Sequence, residues 1–470
     1  MNYVFILAIL SVLILSFFLK ASLLSNKGWV EMDSIHHLSM GLWVKQNCGL
    51  PDIIARYNQN EKYTYPPLLH IIISKFPEKK MWYAQFLGPV CDFAIGLMIG
   101  IYAGHDFGWT IAWIAVTSYA FTPYLFSAYI GASAEALAVT FLAFSLFILS
   151  LALNAQLSIQ FPLVILSASG ISAVILTHRS TTEALLAIVL VESIGLHQLI
   201  FVEATILGLI FSLTLLRGRL IVNLADQFRM IQLFALDKSK VYTRLLRSGK
   251  FLDFIEMVWE PRSVFVNFPL VIFIPMVFYL KLINISPFLF YWMLSLLILY
   301  VSWIPGKGLR RLGAIGPPLS IMVAEIASKV PWVLFFIFIS VASALTLKYV
   351  HTIKPRKQFV SDKLIEACEF LKTIAKPVDL VLVIPTSKSY SLLFFTNNRV
   401  VIQGGSSVGV EFNYRIQKEI DRNPDISKEI ERYRVKYVIK TKSLKNKVPG
   451  IIRFDNGTYC VLEEPEIVTC

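Results

Sequence analysis

The chain has 470 residues, of which 56% are hydrophobic and only 16% are charged. The mean hydropathy of +0.63 excludes an ordinary soluble globular protein and predicts one that crosses the membrane many times. The formal net charge of +13 is spread along the chain without a basic stripe interleaved with aromatic residues, so it argues against nucleic acid as a partner and favours anionic membrane lipids or a phosphate-bearing substrate.

Eleven apolar segments are long enough, or nearly long enough, to cross the bilayer. They lie at residues 2–24, 82–104, 108–128, 133–154, 160–177, 182–198, 199–216, 263–282, 286–304, 311–328 and 330–350. The first is interpreted as a retained anchor, because it has no basic start and is longer than the usual core of a signal peptide. Residues 182–216 can form one long bent helix or two short helices, and this choice decides on which side of the membrane all later residues lie.

The first long connection, residues 25–81, begins with a group of ionisable side chains. The stretch EMDSIHH places Glu31, Asp33, His36 and His37 directly after the first apolar segment. Apolar residues at helical spacing predict that this stretch continues as an amphipathic helix along the membrane interface. Asp33 and His37 are four residues apart and therefore share one face of that helix. His36 points in another direction and is predicted to lie on the surface.

Two interpretations of Asp33 stay open on these residues alone. The side chain can cap the helix, because helix N termini favour acidic residues. It can also act as a general base at the boundary between water and lipid, or ligate a divalent cation, with His37 orienting it or binding substrate. The loop then continues with YPPLLH, which carries Tyr65 and His70 and predicts a second helix that starts near the two prolines.

Further charged groups lie near the predicted membrane edges, where charges are costly and are usually functional or paired. In chain order they are Asp92, Glu135, His178, Arg179, Glu192, Arg310 and Arg311. Asp92 and Glu135 fit a structural role and a functional role equally well. The histidine and arginine at 178 and 179 fit ordinary interface anchors as well as ligands. The pair at 310 and 311, in the stretch GKGLRR, fits either a topology signal or a clamp for a phosphate group.

The hydropathy changes after residue 350, and residues 355–470 are predicted to form a soluble α/β domain. SDKLIEACEFLKTIA opens with a capping serine and has helical spacing. DLVLVIP, RVVIQGG and VKYVIKT are short patterns typical of buried strands, which predicts a small, partly parallel sheet. The chain is thus divided into a membrane domain, 1–350, with long loops at 25–81 and 217–262, and this C-terminal domain. The five cysteines of the whole chain show no paired C-x-x-C spacing and support neither a zinc site nor a disulfide framework.

Several short motifs resemble the GT-C superfamily of membrane glycosyltransferases. They are the short first span, the D-x-x-x-H of Asp33 and His37, YPPLLH, SAEALAVTFL at 133–142, LTHRST and RRLGAIGPPLSIM. The chain is similar to the members that use polyprenyl-phosphate-linked sugars, which include protein mannosyltransferases and aminoarabinose transferases. It lacks the W-W-D-Y-G motif, and its first loop has Glu-Met-Asp where D-x-D is expected. These departures argue against the catalytic subunit of an oligosaccharyltransferase.

The resemblance implies a multi-pass protein of the cell membrane with about eleven spans, whose active site and soluble domain lie outside the cytoplasm. Such an enzyme moves a sugar, with inversion, from a polyprenyl phosphate to the hydroxyl of a glycan, lipid or protein acceptor. By resemblance, Asp33 is the catalytic base, His37 is its companion, and Arg310 or Arg311 lies near the donor phosphate. The further candidates for substrate binding are Glu31, Tyr65, His70, Glu135, His178 and Arg179. Metal dependence stays open, with Mg²⁺ or Mn²⁺ as the candidate divalent cation.

The positive-inside rule opposes this topology, because the basic loops 25–81 and 217–262 would both lie outside. The family layout is preferred here, since both loops also contain acidic residues and since an outer site for a phosphate needs cations. The competing function is a transporter or lipid flippase, which is expected to show internal repeats and helices broken at the midplane; the sequence shows no clear repeat. A non-catalytic scaffold is a third class, and the acids kept in the first loop argue against it.

Overall fold

The computed structural model of the protein describes residues 2–25, 32–50, 53–54, 61–229, 232, 247, 269–275, 286–301, 313–353, 360–396, 398–401, 419–421 and 423–464. The chain divides into two compact units, and each is described by itself. The helical unit comprises Met1–Asn26, Gln85–Ile221 and Ile231–Pro355. The mixed unit comprises Lys27–Ala84, Val222–Met230 and Arg356–Cys470.

The α-helices used below, in chain order, are α1 Asn2–Ser25, α2 Met32–Gln46, α3 Leu68–Ser74, α4 Leu87–Asp106, α5 Trp109–Ala120, α6 Pro123–Ala128, α7 Ala134–Leu153, α8 Leu157–Ile175, α9 Arg179–Gly195, α10 Ile200–Leu216, α11 Pro287–Val301, α12 Gly316–Lys329, α13 Val333–Ile353, α14 Asp362–Ile374, α15 Ser389–Phe395 and α16 Ser427–Tyr433. The strands are β1 Ile53–Ile54, β2 Glu61–Lys62, β3 Leu380–Ile384, β4 Arg399–Val400, β5 Tyr437–Thr441, β6 Ile451–Asp455 and β7 Tyr459–Glu463. Short 3₁₀ helices cover Glu78–Phe86, Pro269–Phe273, Gly313–Ile315 and Thr386–Lys388.

Four helices among the described residues are long and apolar enough to cross a membrane: Tyr3–Leu24, Glu78–Asp106, Ala134–Leu153 and Leu157–Ile175. A fifth candidate combines Ile200–Leu216 with the helix that follows it. The described residues therefore show fewer spans than the eleven that the apolar segments predict. One reason is that segment 108–128 folds as two short helices, α5 and α6, with Pro123 at the start of the second. A second reason is that segment 263–282 is described only at 269–275.

The uncertain stretch 182–216 forms two helices, α9 and α10. Four residues separate them, and among these His197 has a left-handed backbone with φ of 53°. A residue in this conformation cannot continue a right-handed helix, so it ends α9 and turns the chain. The alternative of one long bent helix is thereby excluded. The two helices also have different neighbours, because α9 packs against α11 and α10 packs against α8.

In the helical unit, a buried ion pair joins α1 to α4. The Nζ atom of Lys20 lies 2.6 Å from the Oδ2 atom of Asp92, and the two side chains are 0% and 2% exposed. Both helices also pack against α5. Of the two roles left open for Asp92, the structural one accounts for this contact, because a buried charge needs an opposite charge beside it.

The mixed unit contains a five-stranded sheet in the order β4-β3-β5-β7-β6. β3 pairs in parallel with β4 and with β5, whereas β7 pairs antiparallel with β5 and with β6. α14 begins as predicted, because the hydroxyl of Ser361 accepts a hydrogen bond from the backbone N–H of Leu364. The predicted C-terminal sheet is confirmed. The hairpin of β6 and β7 was not predicted, although Asn456-Gly457 between two apolar runs is a strong turn signal.

Two helices of the first loop also belong to the mixed unit. α2 packs against α3, and on another side it packs against α15 of the C-terminal segment. Ile35 and Leu38 of α2 are both 0% exposed. The predicted helix after the first span is therefore present, and its apolar residues are covered by protein.

Candidate active site

The first turn of α2 carries the residue predicted to be the catalytic base. α2 begins at Met32, so Asp33 is its second residue, and His37 follows one turn later. The structure describes the backbone of Asp33 but not its side chain. Glu31, Arg310 and Arg311 lie outside the described residues.

A buried group of three histidines and two tyrosines forms where α3 packs against α2; we call it the histidine cluster. Its members are His36, His37, Tyr63, Tyr65 and His70. The Nδ1 atom of His37 lies 2.9 Å from the Nε2 atom of His70. The hydroxyl of Tyr63 is hydrogen-bonded to the other ring nitrogen of His70, Nδ1. The ring of Tyr65 lies 5.4 Å from that of His70 and 5.5 Å from that of His37, between centroids. Three predicted site residues, at 37, 65 and 70, are thus brought together.

The prediction that His36 lies on the surface is wrong. Its side chain is 5% exposed, and its ring centroid lies 5.4 Å from that of His37 and 6.1 Å from that of His70. The physical reason is that α2 is covered from more than one direction, by α3 and by α15. Two consecutive helical positions, which point about 100° apart, can then both be buried.

Burial also sets the protonation of the histidine cluster. Loss of solvent lowers the pKa of His36 and of His70 well below the usual 6.5, and the neighbouring ring of His37 lowers both further. These two rings are therefore neutral at pH 7. A neutral imidazole has one N–H donor and one nitrogen lone pair, so it can join a hydrogen-bonded chain or ligate a metal ion. His36, His37 and His70 are the group among the described residues whose ligand atoms could hold such an ion.

His70 has no exposed surface. Its two ring nitrogens contact Tyr63 and His37. This arrangement fixes the ring of His70 and, through it, the orientation of His37. The side chain of His70 therefore stabilises the packing of α3 against α2 and does not present a ring edge to solvent.

A second polar group lies in the helical unit, at the N terminus of α7. Ser133 caps this helix by accepting a hydrogen bond from the backbone N–H of Ala136 at 3.1 Å. Glu135 follows in the first turn, and its carboxylate accepts a hydrogen bond from the hydroxyl of Tyr124 at 3.2 Å. Gly313 lies so close to this carboxylate that a side chain at 313 would collide with it. A carboxylate at this place is also favoured by the helix dipole.

The remaining two predicted residues lie at the start of α9. His178 is the N-cap residue, and its Nδ1 atom lies 2.9 Å from the hydroxyl oxygen of Thr181. Arg179, the first residue of the helix, is 5% exposed. Both side chains are therefore enclosed by protein, which differs from the exposed position expected of simple interface anchors.

Two partners of the predicted residues, Tyr63 and Tyr124, were not predicted from the sequence. Tyr63 precedes Tyr65 by two residues in KYTYPPLLH, so the alternating tyrosines were the available signal. For Tyr124 there was no local signal, because its contact with Glu135 depends on the turn between α6 and α7.

Comparison with solved structures identifies the fold. No family model matches the sequence, and no curated protein sequence matches it. The crystal structure of ArnT from Cupriavidus metallidurans bound to undecaprenyl phosphate is 13% identical, with a TM-score of 0.57, and the match covers 98% of this chain and 97% of that chain. The archaeal oligosaccharyltransferase AglB from Archaeoglobus fulgidus, in complex with an inhibitory peptide and a dolichol-phosphate, is 12% identical with a TM-score of 0.61. That match covers 92% of this chain and 69% of AglB.

These neighbours are membrane glycosyltransferases of the GT-C superfamily, so the predicted resemblance to that fold is confirmed. The likeness extends to an oligosaccharyltransferase as well as to ArnT, and the fold by itself does not separate the two classes. One structure of the Archaeoglobus enzyme is a complex with zinc and sulfate. At these identities the comparison establishes the fold alone.

Proposed function

We propose that this chain is an integral membrane glycosyltransferase that moves a sugar from a polyprenyl-phosphate-linked donor to an acceptor hydroxyl or a lipid-linked glycan. The observation that carries this proposal is the fold, shared over nearly the whole chain with an enzyme crystallised with a polyprenyl phosphate. The presence of Asp33 at the start of the helix after the first span supports it. Transfer proceeds on the outer face of the cell membrane and inverts the anomeric carbon.

The packing of α2 supports this topology. α2 follows the first span directly, and it contacts α15 of the C-terminal segment. Elements that pack together lie on the same side of a membrane, so the chain between them crosses an even number of times. With the N terminus in the cytoplasm, the first loop and the C-terminal domain then both lie outside.

In the proposed reaction, Asp33 takes the proton from the acceptor hydroxyl while the acceptor oxygen attacks the anomeric carbon. The bond between that carbon and the phosphate oxygen breaks, and polyprenyl phosphate leaves. Asp33 needs a fixed position for this step, because proton transfer requires hydrogen-bonding distance to the attacking hydroxyl. His37 and His70 are positioning residues in this scheme, because their contact at 2.9 Å holds α2 against α3.

The basic pair and the acid of α7 are proposed to bind the donor. Arg310 and Arg311 bind the donor phosphate, since a guanidinium makes paired hydrogen bonds with phosphate oxygens and stabilises the charge on the leaving group. The chain position supports this assignment: Arg311 precedes Gly313 by two residues, and Gly313 lies against Glu135. Glu135 accepts hydrogen bonds from sugar hydroxyls, as it does from Tyr124. Glu31, Tyr65, His178 and Arg179 are further proposed contacts of the substrates.

A transfer assay with the purified full-length protein tests the proposed function. The protein is incubated in detergent with a panel of polyprenyl-phosphate-linked hexoses and pentoses, together with lipid-linked glycan and peptide acceptors. Each incubation is run with and without EDTA, so that a need for Mg²⁺ or Mn²⁺ at the acidic residues of the first loop becomes visible. We expect one donor to be converted to polyprenyl phosphate and a glycosylated product. If no donor is cleaved, and a labelled donor instead moves between the leaflets of proteoliposomes, the chain is a transporter or flippase.

A further inference from the structure

Three histidines from two helices meet in the buried interior of the mixed unit. His36 and His37 are neighbours on α2, and His70 comes from α3. Their exposed fractions are 5%, 7% and 0%. One ligand nitrogen from each ring can be chosen so that the three nitrogens lie within 4.8 Å of one another.

We propose that His36, His37 and His70 bind a zinc ion, which joins α2 to α3. Zinc–nitrogen distances are about 2.0–2.1 Å, which places two tetrahedral ligand atoms roughly 3.4 Å apart. The nitrogens of His37 and His70 are 2.9 Å apart, and the whole set spans 4.8 Å. The three nitrogens are therefore spaced within roughly 1.4 Å of what a tetrahedral zinc ion requires.

The contact between Tyr63 and His70 supplies the second observation. A histidine that ligates a metal through one nitrogen usually donates its other N–H to an oxygen, which fixes the ring. The Nδ1 atom of His70 is hydrogen-bonded to the Tyr63 hydroxyl, while its Nε2 atom faces His37. The metal would then take the place of the proton between His37 and His70, and the Nδ1–H of His70 would donate to the Tyr63 oxygen.

The donor set selects the class of metal. Three neutral imidazole nitrogens suit zinc and its neighbours cobalt, nickel and copper, whereas Mg²⁺ and Mn²⁺ prefer carboxylate and water oxygens. Three protein ligands also leave one tetrahedral position for water or an exchangeable anion. The site is therefore distinct from any Mg²⁺ or Mn²⁺ held by the acidic residues that precede it on the chain.

Cobalt binding to the full-length protein tests the site. Purified protein is stripped with a chelator, the chelator is removed, and Co²⁺ is titrated without any sugar donor. We expect one Co²⁺ per chain, with the visible absorption bands of tetrahedral cobalt, and displacement by one equivalent of Zn²⁺. His70→Gln is expected to abolish these bands. Tyr63→Phe, which removes only the hydroxyl bonded to His70, is expected to weaken zinc binding about 10- to 100-fold.

His105→Gln is the matched control, because the side chain of His105 is 77% exposed and lies outside the histidine cluster. It should bind cobalt as the wild type does. The proposal is overturned if wild-type protein shows no tetrahedral bands, or if His70→Gln and Tyr63→Phe bind zinc with wild-type affinity. Tyr63→Phe decides the matter even if His70→Gln does not fold. Because no donor is present, either result leaves the proposed glycosyl transfer to be tested separately.

Discussion

At the scale of single residues, Glu135 has the best-described surroundings among the acids proposed to contact substrate. It lies in the first turn of α7 and accepts a hydrogen bond from Tyr124 at 3.2 Å. Glu135→Gln keeps the size of the side chain but removes its charge. A hydrogen bond to a charged group contributes about 1.5–3 kcal/mol, so we expect kcat/KM for the donor to fall roughly 10- to 100-fold, measured by release of polyprenyl phosphate.

Glu203→Gln is the control for this prediction. Glu203 is also an acid in the first turn of an apolar helix, α10, but its side chain is exposed. Its replacement should leave donor kinetics unchanged. If the two variants behave alike, Glu135 has only a structural role.

The basic pair gives a second prediction at this scale. Arg310→Lys and Arg311→Lys keep the charge that a topology signal needs, but a lysine cannot make the paired contact of a guanidinium with phosphate. For whichever arginine binds the donor phosphate, we expect a loss of about 10- to 100-fold in kcat/KM, in line with one charged hydrogen bond. Arg217→Lys, at an exposed position after α10, serves as the control. Wild-type kinetics in both test variants would make the pair a topology signal.

The residues of the histidine cluster show how far sequence reasoning reaches. The spacing of Asp33 and His37 and the motif YPPLLH selected three residues that the structure brings together. His36 was predicted to lie on the surface, because an amphipathic helix is expected to have only one face covered. Coverage of α2 by α15, which lies some 350 residues later in the sequence, is a tertiary contact that no local pattern reports.

At the scale of secondary-structure elements, the contact of α1 with α4 gives a stability prediction. Asp92→Leu leaves the ammonium group of Lys20 buried without its carboxylate, at a site where both side chains are almost completely enclosed. Breaking a buried pair from one side costs about 3–5 kcal/mol. We expect a lower thermal unfolding temperature in detergent for this variant than for the wild type.

The double variant Lys20→Met, Asp92→Leu removes both charges and should recover most of the lost stability, since replacing a buried pair by apolar residues is often neutral. Asp106→Asn, at the partly exposed end of the same helix, is the control and should unfold as the wild type does. Equal unfolding temperatures for Asp92→Leu and Asp106→Asn would contradict a stabilising role of the ion pair.

The helices and strands were predictable wherever a local sequence pattern specifies them. The Ser361 cap and the strand patterns correspond to a helix and strands that the structure describes, and most of the apolar segments contain a described helix. Segment 108–128 failed because a hydropathy average does not register the break at Pro123, which starts a new helix. The hairpin of β6 and β7 was missed although its Asn-Gly turn is a strong local signal, because β6 is largely exposed and has no buried-strand pattern.

At the scale of the whole molecule, the contact between α2 and α15 predicts the position of the C-terminal domain. Both segments must lie on one side of the membrane, and the proposed topology puts them outside. Protease added to intact cells is therefore expected to remove residues 355–470, while a cytoplasmic marker protein stays intact. A C-terminal domain that resists digestion until the membrane is permeabilised would place it, and the first loop with it, in the cytoplasm.

The release of polyprenyl phosphate by wild-type protein and by Asp33→Asn is the most direct test of the proposed glycosyl transfer. The asparagine preserves the size of the side chain, but it cannot accept a proton. Glu78→Gln, which replaces an exposed acid of the same loop, is the control. Wild type and Glu78→Gln are expected to release polyprenyl phosphate equally, and Asp33→Asn is expected to be slower by about 10²-fold or more. Near wild-type release by Asp33→Asn would contradict the assigned base, and no release by any of the three with any donor would contradict glycosyl transfer itself.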